Sequence, residues 1–594
     1  MSRRREASLA RGHSVPIARQ RGAALMALLA LIVAGTAFLL VQKLNAASTQ
    51  VDREAQTRKA LLQAKQALLA FAALDDTVGS NMNRPGSLPC PAEGLATTAR
   101  KDWGTALASC GSTSNRVGRL PWKTLGLPEL TDGSGEYLWY ALSPRFRDQA
   151  SLEINADLRG QIDLCRVASK PCPSGESVAS EVVAVIFAPG APVTTSGGYL
   201  QNRSTDTARD DVVNYLEGYS LDPTASLSAV ADQFRAGPAE ERFNDRLITI
   251  TQSDLLEATE NAVAARLRTL ILPRLSRYYA DWGAFPYAAP FNPTDTVLDA
   301  KLAPTTQGML PLAMGAATMS LGWKALLYEV KQGAATVGTC TAASATDELV
   351  CDMPAPVSGT VTLSVEVADV GFGLVEPMQP GVASPAVAVS AQAFAASLHA
   401  NGTATVVASL SVSSATTDVQ VRFALPQKST LSGFTYNWLV LNRWYQQILY
   451  AIPANLAPGG TAPQCATTAP TNCLTIQRRD GSTAAASVAL VLAGRPVLRE
   501  SPPAGCTVQI RPAWPPMWAT PWDQNPAPGC AEPLTAATYL PNYFEGVNND
   551  AVTTLPVTFK EGYRSPTFND RVVWLTAYDA GATPRMECAP WKCQ

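Results

Sequence analysis

The chain has 594 residues, 46% apolar and 16% charged, enough apolar material for several buried cores and too much for wholesale disorder. A formal net charge of −2 argues against a nucleic-acid binder. With His13 and His399 the only histidines, Ser-His-Asp and Cys-His catalysis are excluded, and no HExxH, P-loop or GxGxxG signature stands in a usable context.

Arg3, Arg4, Arg5, Arg11, Arg19 and Arg21 crowd the first 21 residues against Glu6 alone. Ala23–Val41 then runs 19 residues without a charge, about 30 Å of helix and the thickness of a hydrocarbon core. Arginines on its N-terminal side predict a cytoplasmic N-terminus and an exported remainder. A cleaved secretory signal is the alternative, although Leu44-Asn45-Ala46-Ala47 is a poor small-x-small site. Both readings put residues 48–594 on one side of the membrane. Leu61, Leu62, Leu68 and Leu69 continue a helical pattern, and no proline falls between Pro16 and Pro85. One helix over about residues 23–75, half of it in membrane lipid, is expected, about 80 Å long.

A set of landmarks then occurs twice. The first copy carries Tyr137-Leu138-Trp139-Tyr140-Ala141, Val182–Gly190, Asn214-Tyr215-Leu216-Glu217-Gly218 and Phe243-Asn244-Asp245-Arg246. The second carries Ile448-Leu449-Tyr450-Ala451, Val488–Gly494, Asn542-Tyr543-Phe544-Glu545-Gly546 and Phe568-Asn569-Asp570-Arg571. Order and type agree throughout, which points to a duplicated unit. A helix-like stretch, Asp254–Tyr279, introduces the second copy. Residues 316–432 interrupt it. There Val361, Leu363, Val365 and Val367 alternate with polar residues, as do Val419, Val421 and Phe423, predicting half-buried antiparallel strands in a small β-sandwich. A second excursion holds Trp514, Trp518 and Trp522 in a Pro-rich loop, a rigid surface for a partner or glycan, or simply aromatic cover for the head's flank.

All 12 cysteines follow the apolar run, in close couples: Cys90/Cys110, Cys165/Cys172, Cys340/Cys351, Cys465/Cys473, Cys506/Cys530 and Cys588/Cys593. Their even number predicts up to six disulfides in an oxidising compartment, short loops favouring sequential pairing while the connectivity stays open. Without CxxC motifs no zinc site is expected, and no cofactor. Among carboxylates, Glu217 with Asp245 and Glu545 with Asp570 are conceivable acid/base pairs. Their recurrence favours a structural bracket instead: Asn244-Asp245-Arg246 and Asn569-Asp570-Arg571 as turns, Asp accepting backbone N–H bonds and Arg crossing to a carboxylate. Asp132, Ser134 and Glu136 form an oxygen-rich turn, of which calcium is the less usual reading.

The junction Arg19-Gln20-Arg21-Gly22, directly followed by Ala23-Ala24-Leu25-Met26 and the apolar run, resembles the processing site of type IV pilins and type II secretion pseudopilins. The resemblance implies cleavage between Gly22 and Ala23 by a prepilin peptidase, methylation of the new N-terminus, and packing of the apolar helix against other pilin-like subunits. The glutamate such proteins carry five residues after the cut is Ala27 here, as in tip-type pseudopilins and some minor pilins. The expectation is thus an α+β chain: a basic leader (residues 1–22), a transmembrane and extended helix (23–75), two tandem pilin-like heads of helix plus antiparallel sheet (76–252; 253–315 with 433–594) and a β-sandwich-like insert (316–432). It is a single-pass inner-membrane protein, its bulk periplasmic or on a surface fibre, acting non-catalytically as a minor or tip pilin in assembly, adhesion or secretion. The alternative is a signal-anchored periplasmic binding or scaffold protein.

Overall fold

The computed structural model describes residue 33 and residues 49–73, 84–92, 103–110, 116–148, 154–167, 169, 171–195, 198–217, 233–289, 305–311, 325–343, 348–367, 382–384, 389–398, 404–424, 438–439, 442–460, 465–466, 470–499, 509, 540, 542–549 and 557–576. Helix α1 (residues 49–73) opens the first unit. Ala60, Ala64, Leu68 and Ala72 recur every four residues and are buried together with Leu61, so one stripe faces the core. The strands that follow are β1 (Val117–Arg119), β2 (Trp139–Leu142), β3 (Ile162–Cys165), β4 (Ser177–Val182) and β5 (Ala184–Ala188); after the short α2 (Asp206–Asp210) come β6 (Gln233–Arg235) and β7 (Arg246–Ile250). They make a sheet ordered β1-β2-β5-β7 and a smaller one ordered β4-β3-β6. Alternation splits the larger sheet's side chains: Tyr140, Leu142 and Ile186 pack with α1, while Trp139, Ala141, Val185 and Phe187 pack with Ile162, Leu164 and Phe234.

The second unit begins at α3 (Gln252–Arg266), capped by a reciprocal Thr251–Asp254 box, and continues into α4 (Leu272–Trp282) through a π-turn over Leu267–Ile271. Pro273, at the start of α4, has no N–H and crowds the preceding turn, so the ladder slips to a bond from the Leu272 N–H to the Leu267 carbonyl. β8 (Gln307–Met309) precedes the insert. The insert is β9 (Ala325–Gln332), β10 (Ala335–Ala343), β11 (Glu348–Met353), β12 (Val357–Val367), β13 (Val382–Ser384), β14 (Val389–Leu398), β15 (Ala404–Ala415) and β16 (Val419–Ala424). The chain returns through β17 (Ile448–Ala451), β18 (Leu474–Gln477), β19 (Thr483–Leu492), β20 (Thr558–Lys560) and β21 (Arg571–Thr576).

Pairing in the two units coincides strand by strand. Gly118 of β1 faces Tyr140 of β2, and Gly308 of β8 faces Tyr450 of β17. Each glycine lies where a Cβ would meet the segment across it, Pro91 Cβ at 2.9 Å or the Ala289 carbonyl at 2.1 Å, so no side chain fits. β3 runs parallel to β6 with Leu164 opposite Phe234; β18 runs parallel to β20 with Ile476 opposite Phe559. After each helix a left-handed glycine, Gly86 (φ 98°) or Gly283 (φ 72°), accepts the reversal. The Leu88 N–H then donates to the Phe146 carbonyl and that of Phe285 to the Leu456 carbonyl, both at 2.8 Å.

Three expectations are corrected. The fold is mostly β, not α+β with pilin-like heads: open sheets carry both cores, and helices cover only part of them. Among the described residues no helix is long and apolar enough to cross a membrane, which overturns the single-pass inner-membrane placement. α1 carries Asp52, Arg53, Glu54, Arg58, Lys59 and Lys65, charges that a bilayer core rejects, and its apolar stripe is spent on the first unit. Apart from Val33, the Ala23–Val41 run lies outside the described residues, as do Gly22, His399, Trp514 and Trp518. Finally, the insert is not a sandwich but one eight-stranded sheet, ordered β13-β16-β11-β10-β9-β12-β15-β14. Val361, Leu363 and Val365 alternate as expected, but they join the second unit's own core beside Val263, Leu275 and Tyr450. Alternation shows that one face is covered; what covers it is a matter of tertiary packing.

Four disulfides close in sequential order: Cys90–Cys110, Cys165–Cys172, Cys340–Cys351 and Cys465–Cys473. Cys506, Cys530, Cys588 and Cys593 lie outside the described residues. Cys165–Cys172 and Cys465–Cys473 are not equivalent: Cys165 sits at the register position of Gln477, whereas Cys473 precedes β18.

α1 is docked at its outer end by the 131–136 turn. Gln56 Nε2 donates to the Asp132 carbonyl at 3.0 Å, and the Gly133 N–H donates to Thr57 Oγ1 at 2.9 Å. A Cβ on Gly133 would lie 2.2 Å from the Arg53 carbonyl oxygen. Gly133→Val is therefore expected to push this end of α1 off the sheet and cost about 1–3 kcal/mol, read as a lower melting temperature with faster proteolysis within residues 49–73. An unchanged proteolytic pattern would contradict this docking.

Candidate functional site

Each unit buries a pair of carboxylates between the end of one segment and the start of the last paired strand. In the first, Glu217 Oε2 accepts the N–H groups of Asn244 (2.9 Å) and Asp245 (3.2 Å), and Oε1 accepts Gln201 Nε2 (2.6 Å). The Glu217 N–H returns a bond to Asp245 Oδ2 at 2.9 Å. In the second, Glu545 Oε2 accepts from Asn569 (2.9 Å) and Asp570 (3.1 Å), Oε1 accepts Gln509 Nε2 (2.9 Å), and the Glu545 N–H donates to Asp570 Oδ2 (2.9 Å). Asn244 and Asn569 each donate from Nδ2 at 2.8 Å, to the Ala191 and Arg495 carbonyls, crossing over Gly190 and Gly494, where a Cβ would strike the amide. Arg246 reaches Glu54 at 3.7 Å and Arg571 reaches Glu260 at 3.3 Å. The Asn and Asp of each turn thus join the carboxylate network, while the Arg crosses to a separate carboxylate on the unit's helix.

Gln201 and Gln509 complete it, and motif reading missed them. They stand 16 and 36 residues before their glutamates, so no fixed spacing marks them. The shared signal is structural: each amide oxygen accepts the N–H of Val193 or Val497. Asn548 adds a bond to Asp570 Oδ2 at 3.0 Å in the second unit.

Glu217, Asp245, Glu545 and Asp570 are all buried, and both Glu217 and Glu545 spend their oxygens on protein donors. No oxygen is presented to a substrate, which general acid/base chemistry requires. Burial, then the Glu217 carboxylate beside it, pushes Asp245 well above the ordinary carboxylate range. Burial and Glu545 do the same to Asp570. Burial also raises Glu217, against the N–H bonds it accepts. A carboxyl raised in the folded chain and ordinary when unfolded stabilises fully below about pH 4 and loses that contribution as pH rises toward its folded value. The Asp245→Asn/Asp570→Asn double variant removes this linkage. Its melting temperature relative to wild type is expected to climb as pH rises above about 4; a constant difference would refute the assignment. Asp254 works oppositely: its partial burial is outweighed by hydrogen bonds from Lys65 and Thr251, which lower its pKa, so its contribution is lost on acidification in either chain.

Asp132 is no calcium ligand in waiting, since Oδ1 accepts the N–H groups of Ser134 and Glu136 and Oδ2 that of Gly190. Among the described residues, no group of three or more His, Cys, Asp and Glu is placed to hold a metal ion. The first unit stacks the guanidiniums of Arg119 and Arg203 at 4.2 and 4.1 Å from the Tyr215 ring; Met309 takes the register position of Arg119 in the second.

The class these features define is a duplicated, disulfide-stapled, β-rich protein whose buried polar networks hold turns. Compared with protein families, with curated proteins and with solved structures, the chain finds no match.

Proposed function

We propose that this chain works by contact, as a non-catalytic assembly or adhesion protein of an oxidising compartment, of the minor- or tip-pilin type. The observation that carries the reading is the pair of matched carboxylate networks. The strongest candidates for acid/base chemistry occur twice in the same geometry, buried and bonded to backbone, which is the pattern of a structural bracket. Four disulfides support the oxidising compartment. The Gly22–Ala23 junction supports processing by a prepilin peptidase, and the absence of a glutamate at Ala27 supports a tip rather than a shaft position.

Mass spectrometry of the mature N-terminus tests it. A methylated Ala23 is the expected result, and its loss when the prepilin peptidase is absent would strengthen it. An intact leader, or cleavage near Ala46, would remove the pilin-type role and leave a binding or scaffold protein. A basic hollow in the second unit gives that second reading its own support.

A further inference from the structure

The two units serve as controls for each other, and at one matched position they differ in charge. In the first, Arg235 stacks on Phe243 at 4.2 Å and pairs with Glu240 at 3.0 Å. The register places Lys560 at the position of Arg235, and the Ser565–Phe568 bridge at that of Glu240–Phe243. Lys560 keeps the aromatic neighbour, 6.0 Å from the Phe568 ring, but Ser565 replaces the carboxylate that neutralises Arg235. Across β18, Arg478 and Arg479 follow Gln477 where Arg166 and Val167 follow Cys165. Tyr563, 72% exposed, projects beside them with the Arg479 guanidinium 5.6 Å from its ring.

The result is a hollow of about 390 Å³ between residues 477–481 and 560–568, lined by Arg478, Arg479, Lys560, Tyr563, Ser565 and Thr567. Its one carboxylate, Glu561, lies 3.5 Å from Arg479 and leaves the lining net positive. Arg268, on the π-turn, stands near the same Glu561 and adds to the field. Guanidinium and ammonium groups recognise carboxylates and sulfates, an open aromatic face takes the apolar side of a sugar ring, and hydroxyls pair with sugar hydroxyls.

We propose that this hollow of the second unit binds an acidic saccharide, its anionic group held by Arg479 and Lys560 and its ring resting on Tyr563. The inference deepens the contact reading above by naming the chemistry contacted. Calorimetric titration of the full chain with digalacturonate, lactose (a neutral disaccharide) and inorganic sulfate tests it. Expected are saturable binding of digalacturonate that weakens at least tenfold in Arg479→Gln/Lys560→Gln and several-fold in Tyr563→Ala, with melting temperatures unchanged. Arg235→Gln, the first-unit counterpart, is expected to leave the affinity as it is. No binding, equal binding of lactose, affinity indifferent to these variants, or sulfate bound as tightly as digalacturonate would each overturn the saccharide site. Such failure touches only the hollow, because the assembly role is read independently at the mature N-terminus.

Discussion

Glu545→Ala is expected to destabilise the folded chain by about 3–5 kcal/mol, with Glu217→Ala close behind. Each glutamate receives three bonds from buried or half-buried donors: the side-chain amide of Gln509 or Gln201 and two successive backbone N–H groups. Removing the carboxylate strands the two backbone N–H groups and, in the first unit, the Gln201 amide, while Gln509 Nε2 retains the Phe544 carbonyl at 3.5 Å; an unmade buried bond costs about 1–3 kcal/mol. Glu545→Gln keeps one acceptor for the N–H pair but turns an amide donor toward Gln509, whose own oxygen is held by the Val497 N–H. That variant should lose about 1–2 kcal/mol. Urea unfolding of these three single variants checks both the size and the parallel between units. Unchanged stability in Glu545→Ala would end the bracket reading and reopen a chemical role.

The second large effect is expected at Glu260 of α3. It is fully buried and takes Arg564 at 2.7 Å and Arg571 at 3.3 Å, tying α3 to β21 and to the turn before it. Glu260→Ala leaves Arg571 without this carboxylate and Arg564 with the exposed Glu257 at 3.8 Å. Loss of one partner of a buried pair costs about 3–5 kcal/mol, and partial solvation of both arginines (27% and 17% exposed side chains) reduces the expectation to about 2–4 kcal/mol. Because the carboxylate is shielded, 0.5 M salt should change wild-type stability far less than the substitution does. A loss below 0.5 kcal/mol in Glu260→Ala, the scale of an ordinary surface change, would show that packing alone holds α3 on the sheet.

Besides apolar packing at Leu255 and Ala156, the units share a polar contact centred on Asn442. Its side-chain oxygen accepts the Ile154 N–H at 3.1 Å and Arg84 Nε at 3.4 Å, and its carbonyl accepts Asn155 Nδ2 at 3.1 Å. Gln447 accepts the Ala156 N–H at 3.2 Å. Nothing about Asn442 in the linear chain marks it, since its partners lie 288 and 358 residues away. Gln201 and Gln509 were hidden for a similar reason. A buried amide is recruited by whichever donor and acceptor the fold brings to it, and loops of unequal length erase the spacing by which two copies might be matched.

The disulfide pairing follows from the cysteine couples, and the strand faces from alternation at Val361, Leu363 and Val365, because short loops and a two-residue period are local properties. Recurrence of Glu217 with Asp245 and of Glu545 with Asp570 was legible as well, since both turns keep the same residue types. Tertiary structure alone decided that the insert is one sheet sharing the second unit's core, that α1 spends its apolar stripe on the first unit, and that the Cys165 and Cys473 disulfides occupy different places. It also decided which carboxylates are sealed from solvent. Burial depends on what the distant chain lays over a residue, and that is settled only when all the surfaces compete for the same cores.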